Sequence, residues 1–150
     1  AYFSDHFLAT YLACFRDSVY EVRLGTASSL AALADAAGSD WVQDRIMPTV
    51  NTMISDEYTF RIGLLSGVSA LFESDIPDNL QVSLLDVLAT AAADVVPNVR
   101  LKTAQVYARI GGRIQDSSRR ASIKQTLKEM MNDKDKDVIY FSSQAMKVFG

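Results

Sequence analysis

Side chains that carry catalytic chemistry are scarce in this sequence. One histidine, His6, and one cysteine, Cys14, are present, and together they fall short of the four ligands of a structural zinc site. General acid/base and nucleophilic chemistry need several groups converging in one pocket, and the carboxylates here read as turn and helix-exterior residues. Cys14 stands three residues after Tyr11 and seven after Phe7, on the flank of an apolar stripe, with no basic neighbour to lower its thiol pKa. It reads as a small core residue, and His6 as a surface histidine. Gly111-Gly112 is a helix stop, since no Gly-Lys-Ser/Thr follows. The inventory predicts no enzyme, no catalytic or metal-binding residue and no cofactor.

What does recur is a pair of opposite charges. Asp17-Ser-Val-Tyr-Glu-Val-Arg23 returns as Asp56-Glu-Tyr-Thr-Phe-Arg61, as Asp94-Val-Val-Pro-Asn-Val-Arg100 and as Asp133-Lys-Asp-Lys-Asp-Val-Ile139, the Asp at intervals of 39, 38 and 39 residues. Beside these pairs stand Tyr20, Tyr58 and Phe60, residue types enriched at interface hot spots. That chemistry is recognition. Arg23, Arg61 and Arg100 can each bridge to an Asp of the same or the next turn, forming a ladder that fixes register.

The elements that must position these turns are helices. Phe7, Leu8, Tyr11, Leu12 and Phe15 form one stripe of a 3.6-residue helix, with Ser4 as cap and Phe3 and Leu8 as a hydrophobic staple. Ser18 and Glu21 have the spacing of a capping box for a second helix, whose face reads Val19, Val22, Thr26, Leu30, Leu33 and Ala34, with Gly38 as left-handed stop. The next pair starts near Trp41, capped by Asp40 with Gln43, and presents Ile46, Val50 and Met53 before a helix over 58–72. A third pair starts at Pro77 and Pro97 and shows Leu80, Leu84, Leu85, Leu88 and Ala91. The fourth spans 118–131, with Ile123, Leu127, Met130 and Met131 inward, then 138–149. No strand pattern competes. The unit is helix, tight turn, helix, and it buries its apolar face only by stacking on its neighbours. The prediction is an all-α, right-handed α-α superhelix of about four helix pairs, with repeats at about 3–38, 40–74, 77–113 and 117–150 in one domain, a piece of a longer solenoid with its turns along one edge.

Composition agrees. The 150 residues are 49% hydrophobic and 22% charged, with seven glycines and three prolines, too apolar for disorder and too poor in turn residues for a β-sandwich. The longest stretches without a charged residue are shorter than the roughly 20 residues a membrane span needs, so no membrane partner is expected. Net charge is −3 with a pI near 5.0, the wrong sign for affinity built on neutralising phosphates, so no nucleic acid is expected. The basic residues Arg109, Arg113, Arg119, Arg120, Lys124 and Lys128 read as a solvated helix face. A single cysteine fits a reducing compartment.

A repeat of this length with an Asp-x-x-x-x-Val-Arg turn resembles the HEAT repeat, and Pro48 inside a first helix is another habit of that family. The stretches from Asp17 to Arg23, Trp41 to Pro48, Asn98 to Ala104 and Asp135 to Phe141 resemble the final repeats of the scaffold (A, regulatory) subunits of protein phosphatase 2A, in order and in register. The second turn is one residue shorter than the others, and Ile139 stands where a basic residue is usual. The resemblance implies a non-catalytic scaffold that holds the phosphatase catalytic subunit through its turns. By position the partner-binding residues are Val19, Tyr20 and Arg23; Tyr58, Thr59, Phe60 and Arg61; Val96, Asn98 and Arg100; and Lys136 and Tyr140. It also implies regulatory B-type subunits held by repeats upstream, and residence in the cytoplasm and also the nucleus. The alternative is a HEAT-repeat adaptor of another class, for nuclear transport or tubulin binding, though a tubulin-binding edge would be basic. Uncapped terminal repeats are expected to drive non-specific self-association.

Overall fold

The runs of 3.6-residue periodicity become helices, the first of them interrupted at Phe7, in the structure, a computed structural model that describes residues 2–150 apart from the side chains of Ser4 and Asp5. The cap expected at Ser4 therefore lies outside the described residues. The first repeat holds α1 (Tyr2–His6) and α2 (Leu8–Cys14), then α3 (Tyr20–Ala37). The second holds α4 (Ser39–Trp41), a π-helical turn (Val42–Ile46), α5 (Met47–Met53) and α6 (Tyr58–Leu71). Next come α7 (Asp78–Ala92), α8 (Pro97–Ile110) with a short 3₁₀ turn (Gly111–Arg113), α9 (Ser117–Met130) and α10 (Lys136–Phe149). Among the described residues there is no strand, and no helix is long and apolar enough to cross a membrane. The helices gather into two compact units, Ala1–Leu80 and Gln81–Gly150.

In the first unit α3 packs along α6. Small residues make the approach close: a Cβ on Gly67 would stand 3.2 Å from Phe15 Cε1 and 3.4 Å from Leu30 Cδ2. The buried face of α3 is Arg23, Thr26, Ala27, Leu30 and Ala34, which corrects the predicted stripe at its start. Val19 and Val22 are 50% and 37% exposed, because the helix begins at Tyr20 and the residue one turn before Thr26 and Ala27 on the inner face is Arg23. The capping box is also absent. Val19 is the N-cap, without a side-chain cap bond, and Asp17 Oδ1 instead accepts the Val19 amide at 2.8 Å. Tyr11 joins α2 to α3, its hydroxyl donating to the Thr26 carbonyl at 2.9 Å with Ser29 Oγ 3.1 Å away. Burial raises the Tyr11 pKa. Phe7 breaks the first helix and is exposed, stacked near Phe3.

The helix around Trp41 starts two residues earlier than Asp40 capping requires, with Gly38 as N-cap at φ 89°, so Asp40 and Gln43 form no cap. Pro48 explains the π-helical turn. Proline offers no amide and its ring collides with the carbonyl four residues back, and an extra residue in the turn relieves both; the Met47 amide accordingly bonds to Val42. Ile46, Val50 and Met53 are buried as predicted.

In the second unit α8 packs along α10, and α9 packs on α10. Thr103, Ala104, Ser142 and Ala145 are fully buried, small residues again. The two buried hydroxyls bond within their own helices, Thr103 Oγ1 to the Val99 carbonyl at 2.9 Å and Ser142 Oγ to that of Val138 at 2.6 Å, so neither costs an unmet donor. Leu80, Leu84, Leu88, Ala91, Ile123, Leu127 and Met130 are core, whereas Leu85 is only half-buried and Met131 is 36% exposed because α9 stops at Met130. Gly111 is required by contact, since its Cβ would meet Val148 Cγ1 at 2.7 Å, while Gly112 faces open space. Gly111→Ala is therefore expected to cost about 1–3 kcal/mol by overpacking. Gly112→Ala should stay within about 0.5 kcal/mol of wild type, both measured by urea unfolding followed by circular dichroism.

Candidate functional site

The recurrent Asp and Arg turn out to be one device. In three of the four turns the Asp carboxylate folds forward and accepts the amide two residues on: Val19 to Asp17 at 2.8 Å, Val96 to Asp94 at 2.8 Å and Asp135 to Asp133 at 2.9 Å. The Arg then reaches back from the first turns of the following helix to the main-chain carbonyl of the same Asp. Arg23 Nη1 donates to the Asp17 carbonyl at 2.6 Å and to that of Ser18 at 3.1 Å. Arg100 Nη1 donates to the Asp94 carbonyl at 2.7 Å, and Arg61 Nη1 to that of Asp56. The spacing is six residues in the first and third turns and five in the shortened second turn. The fourth turn, with Ile139 in the Arg position, is closed by Asp135, whose Oδ1 accepts the Asp137 and Val138 amides at 2.9 and 3.1 Å as the cap of α10.

Each unit also ties its own two turns together by a carboxylate bridge. In the second unit Arg100 makes the rung expected of it, gripping Asp133 with Nε at 2.6 Å from Oδ2 and Nη2 at 2.8 Å from Oδ1. In the first unit the rung comes from Arg16, which pairs with Asp56, while Arg23 donates to carbonyls through Nη1 and leaves its Nε buried without a partner. The sequence signal for Arg16 was only its place before Asp17. The two rungs differ in worth. Arg16 and Asp56 are 38% and 31% exposed, a surface pair of about 0–1 kcal/mol, whereas Arg100 and Asp133 are 16% and 11% exposed. The hydrogen bonds from Arg100 hold the Asp133 carboxyl below its ordinary pKa, and the same bonds raise that of Arg100.

With the recurrent Asp and Arg groups turned to the backbone, apolar side chains of the turns face solvent. Val19 is 50% exposed, Tyr20 55%, Tyr58 46% and Tyr140 57%, and Asn98 and Lys136 are exposed too. Thr59, Phe60, Arg61, Val96 and Arg100 are half-buried. Arg23 is buried, its guanidinium 5.8 Å from the Tyr20 ring centre and 5.9 Å from that of Phe60, so it supports the turn from beneath. Val95, which no sequence pattern singles out, is 89% exposed. Val96 is extended ahead of Pro97, at φ −90° and ψ 119°, as a residue before proline must be. Neighbouring side chains in an extended segment point to opposite sides, so Val96 turns in and Val95 out. An open groove of ≈ 500 Å³ runs between the third and fourth turns, floored by Ala89, Ala92, Arg100 and Asp133. Among the described residues no three His, Cys, Asp or Glu side chains gather as a metal site.

Helix pairs repeated about every 39 residues, with three of the four turns opened by Asp and three clamped by Arg, form an all-α helical-repeat chain of HEAT-like architecture. No protein-family profile matches it. It is similar to the A-type regulatory subunit of protein phosphatase PP2A from Saccharomyces cerevisiae (strain ATCC 204508 / S288c), with 30% identity over 123 residues, 76% of this chain and 19% of the relative. The resemblance read from the turn motifs is thereby shown, for a chain spanning 19% of that relative's length.

The Arg100–Asp133 rung has a pH signature. Because the folded-state pKa of Asp133 is depressed, the unfolded chain binds more protons across that interval. The bridge's contribution is full above the ordinary carboxylate pKa and disappears as pH falls through the folded value. Asp133→Asn keeps the amide contact to Asp135 but loses the charge. It is expected to cost about 1.5–3 kcal/mol at neutral pH and to converge with wild type in acid, as read from urea midpoints between neutral pH and pH ~3.

Proposed function

We propose that this chain is a non-catalytic scaffold segment of a serine/threonine phosphatase assembly of the 2A type, and that its intra-repeat turns hold the phosphatase catalytic subunit. The observation that carries this reading is the exposure of Val19, Tyr20, Tyr58, Val95 and Tyr140 on turns whose backbone is fixed by Asp, by Arg or by both. Docking on a preorganised backbone loses little conformational entropy, and tyrosine is among the side chains that dominate interface energetics. The name of the yeast relative, a phosphatase regulatory subunit, supports the same role. On this reading Arg23, Arg61 and Arg100 set the shape of the edge, while Tyr20, Tyr58, Asn98, Lys136 and Tyr140 meet the partner. Repeats preceding these in a longer solenoid would hold B-type subunits, and the assembly would work in the cytoplasm and the nucleus.

The test is a calorimetric titration of the chain with purified phosphatase 2A catalytic subunit, after light scattering has established that the chain is monodisperse. Saturable binding is expected, weakened about tenfold or more by Tyr20→Ala and by Tyr140→Ala, with helical content and Tm unchanged. A folded, monodisperse chain that gives no heat, or tyrosine variants that bind as wild type does, would overturn the proposal.

A further inference from the structure

The basic residues between positions 109 and 128 are not simply a solvated face. Arg120 donates to the Gly111 carbonyl at 2.8 Å, to Ile114 at 3.1 Å and to Val148 at 3.2 Å, and its guanidinium lies 5.0 Å from the Phe149 ring centre. Arg119 donates to Gln81 Oε1 at 2.8 Å. Two residues after Arg120 comes Ser122, exposed, followed by Ile123, which is 4% exposed. Arg-Arg-Ala-Ser-Ile places two guanidiniums three and two residues before a hydroxyl and an apolar side chain after it. A basophilic protein kinase reads that pattern, its carboxylates taking the paired guanidiniums and an apolar pocket the following residue.

We propose that Ser122 is a phosphoacceptor for a basophilic serine/threonine kinase, and that the packing of α9 gates its use. In the closed unit the hydroxyl is within reach but its recognition elements are not: Arg120 is anchored on three carbonyls, Arg119 is held by Gln81 and Ile123 is core. A kinase cleft takes its substrate as an extended segment, so the first turns of α9 must open before the site is read. Such local openings lie well below global unfolding in free energy. They are restrained here by Asp116, whose Oδ1 caps α9 by accepting the Arg119 amide at 2.8 Å. In the open state Ser122 Oγ attacks the γ-phosphorus of ATP. The Oγ–P bond forms as the bond from that phosphorus to the β,γ-bridging oxygen breaks, ADP leaves, and the hydroxyl proton passes to the kinase's base. When α9 closes again, the phosphate stands in the groove that Ser122 shares with Arg119, Asp86 and Tyr107. There, one helical step of three residues from Arg119, it competes with Gln81 for the guanidinium.

The proposal is independent of the docking reading, and one set of rates decides it. The whole chain, its Asp116→Ala and Ser122→Ala variants and a synthetic peptide of residues 116–126 are incubated with ATP and the catalytic subunit of cAMP-dependent protein kinase, and the modified residue is located by mass spectrometry. Circular dichroism is used to check that the variants are folded. The peptide is expected to be phosphorylated at Ser122 fastest and the wild-type chain slowest. Asp116→Ala, which frays α9 by removing the cap on the Arg119 amide while leaving Arg119, Arg120, Ser122 and Ile123 unchanged, should run about fivefold faster than wild type. Ser122→Ala should take up no phosphate in this segment. An unmodified peptide would show that the pattern is not read. A wild-type chain as fast as the peptide, or a folded Asp116→Ala variant as slow as wild type, would show that α9 is no gate.

Discussion

Where the chain leaves one helix and enters the next within four or five residues, the carbonyls and amides of the turn have no helical partner, and a tight turn packed against a neighbouring repeat cannot leave them all to water. In its first and third turns this chain meets that constraint with one aspartate and one arginine, while the second turn keeps the arginine's bond and the fourth the aspartate's. The carboxylate accepts an amide two residues ahead, and the guanidinium returns to the carbonyl of the same aspartate. Five N–H donors in a rigid fork let a single arginine serve this carbonyl and still reach elsewhere. Arg100 uses the remainder to bind Asp133 of the next turn, and Arg23 uses it on a second carbonyl and two aromatic rings. The turn's shape and its relation to the adjacent turn in the unit therefore depend on the same side chains.

The apolar packing follows from where those turns place the helices. In each unit the second helices of its two repeats, α3 with α6 and α8 with α10, lie against one another through glycine, alanine, serine and threonine. Small residues bring backbones close, and close packing maximises dispersion contacts. The buried hydroxyls of Thr103 and Ser142 are tolerable only because each returns to a carbonyl four residues back. Proline at position 48 shows the opposite case, in which the missing amide is absorbed by one π-helical turn while Ile46, Met47 and Val50 remain in the core.

Turning the polar groups inward has a consequence for recognition. Tyr20, Tyr58, Val95 and Tyr140 are left on rigid supports in contact with water, the reverse of the usual arrangement in which polar groups face solvent. Arg120 illustrates the same inversion at the far end of the repeat. A residue that composition assigns to a basic surface instead closes the gap between the end of α8, the start of α9 and the end of α10.

The helical class, the 39-residue period and most core positions of α5, α7 and α9, apart from Leu85 and Met131, were legible in the sequence, because helix periodicity and repeat spacing are local and regular. So was the importance of the Asp and Arg positions, but not what they bond. Opposite charges six residues apart suggest an ion pair, whereas the partner of Arg23 is a carbonyl, and a carbonyl leaves no mark in a sequence. The inner face of α3 was misread at Val19 and Val22 because the helix start, set by the Asp17 turn, shifts which residues face α6. Whether Arg23 lies inside, whether Val95 or Val96 faces water and which arginine forms the rung of the first unit were decided only by tertiary structure. Those outcomes depend on which carbonyls, rings and carboxylates other segments bring within about 3–6 Å, and residues some forty positions apart settle that only when the chain has folded.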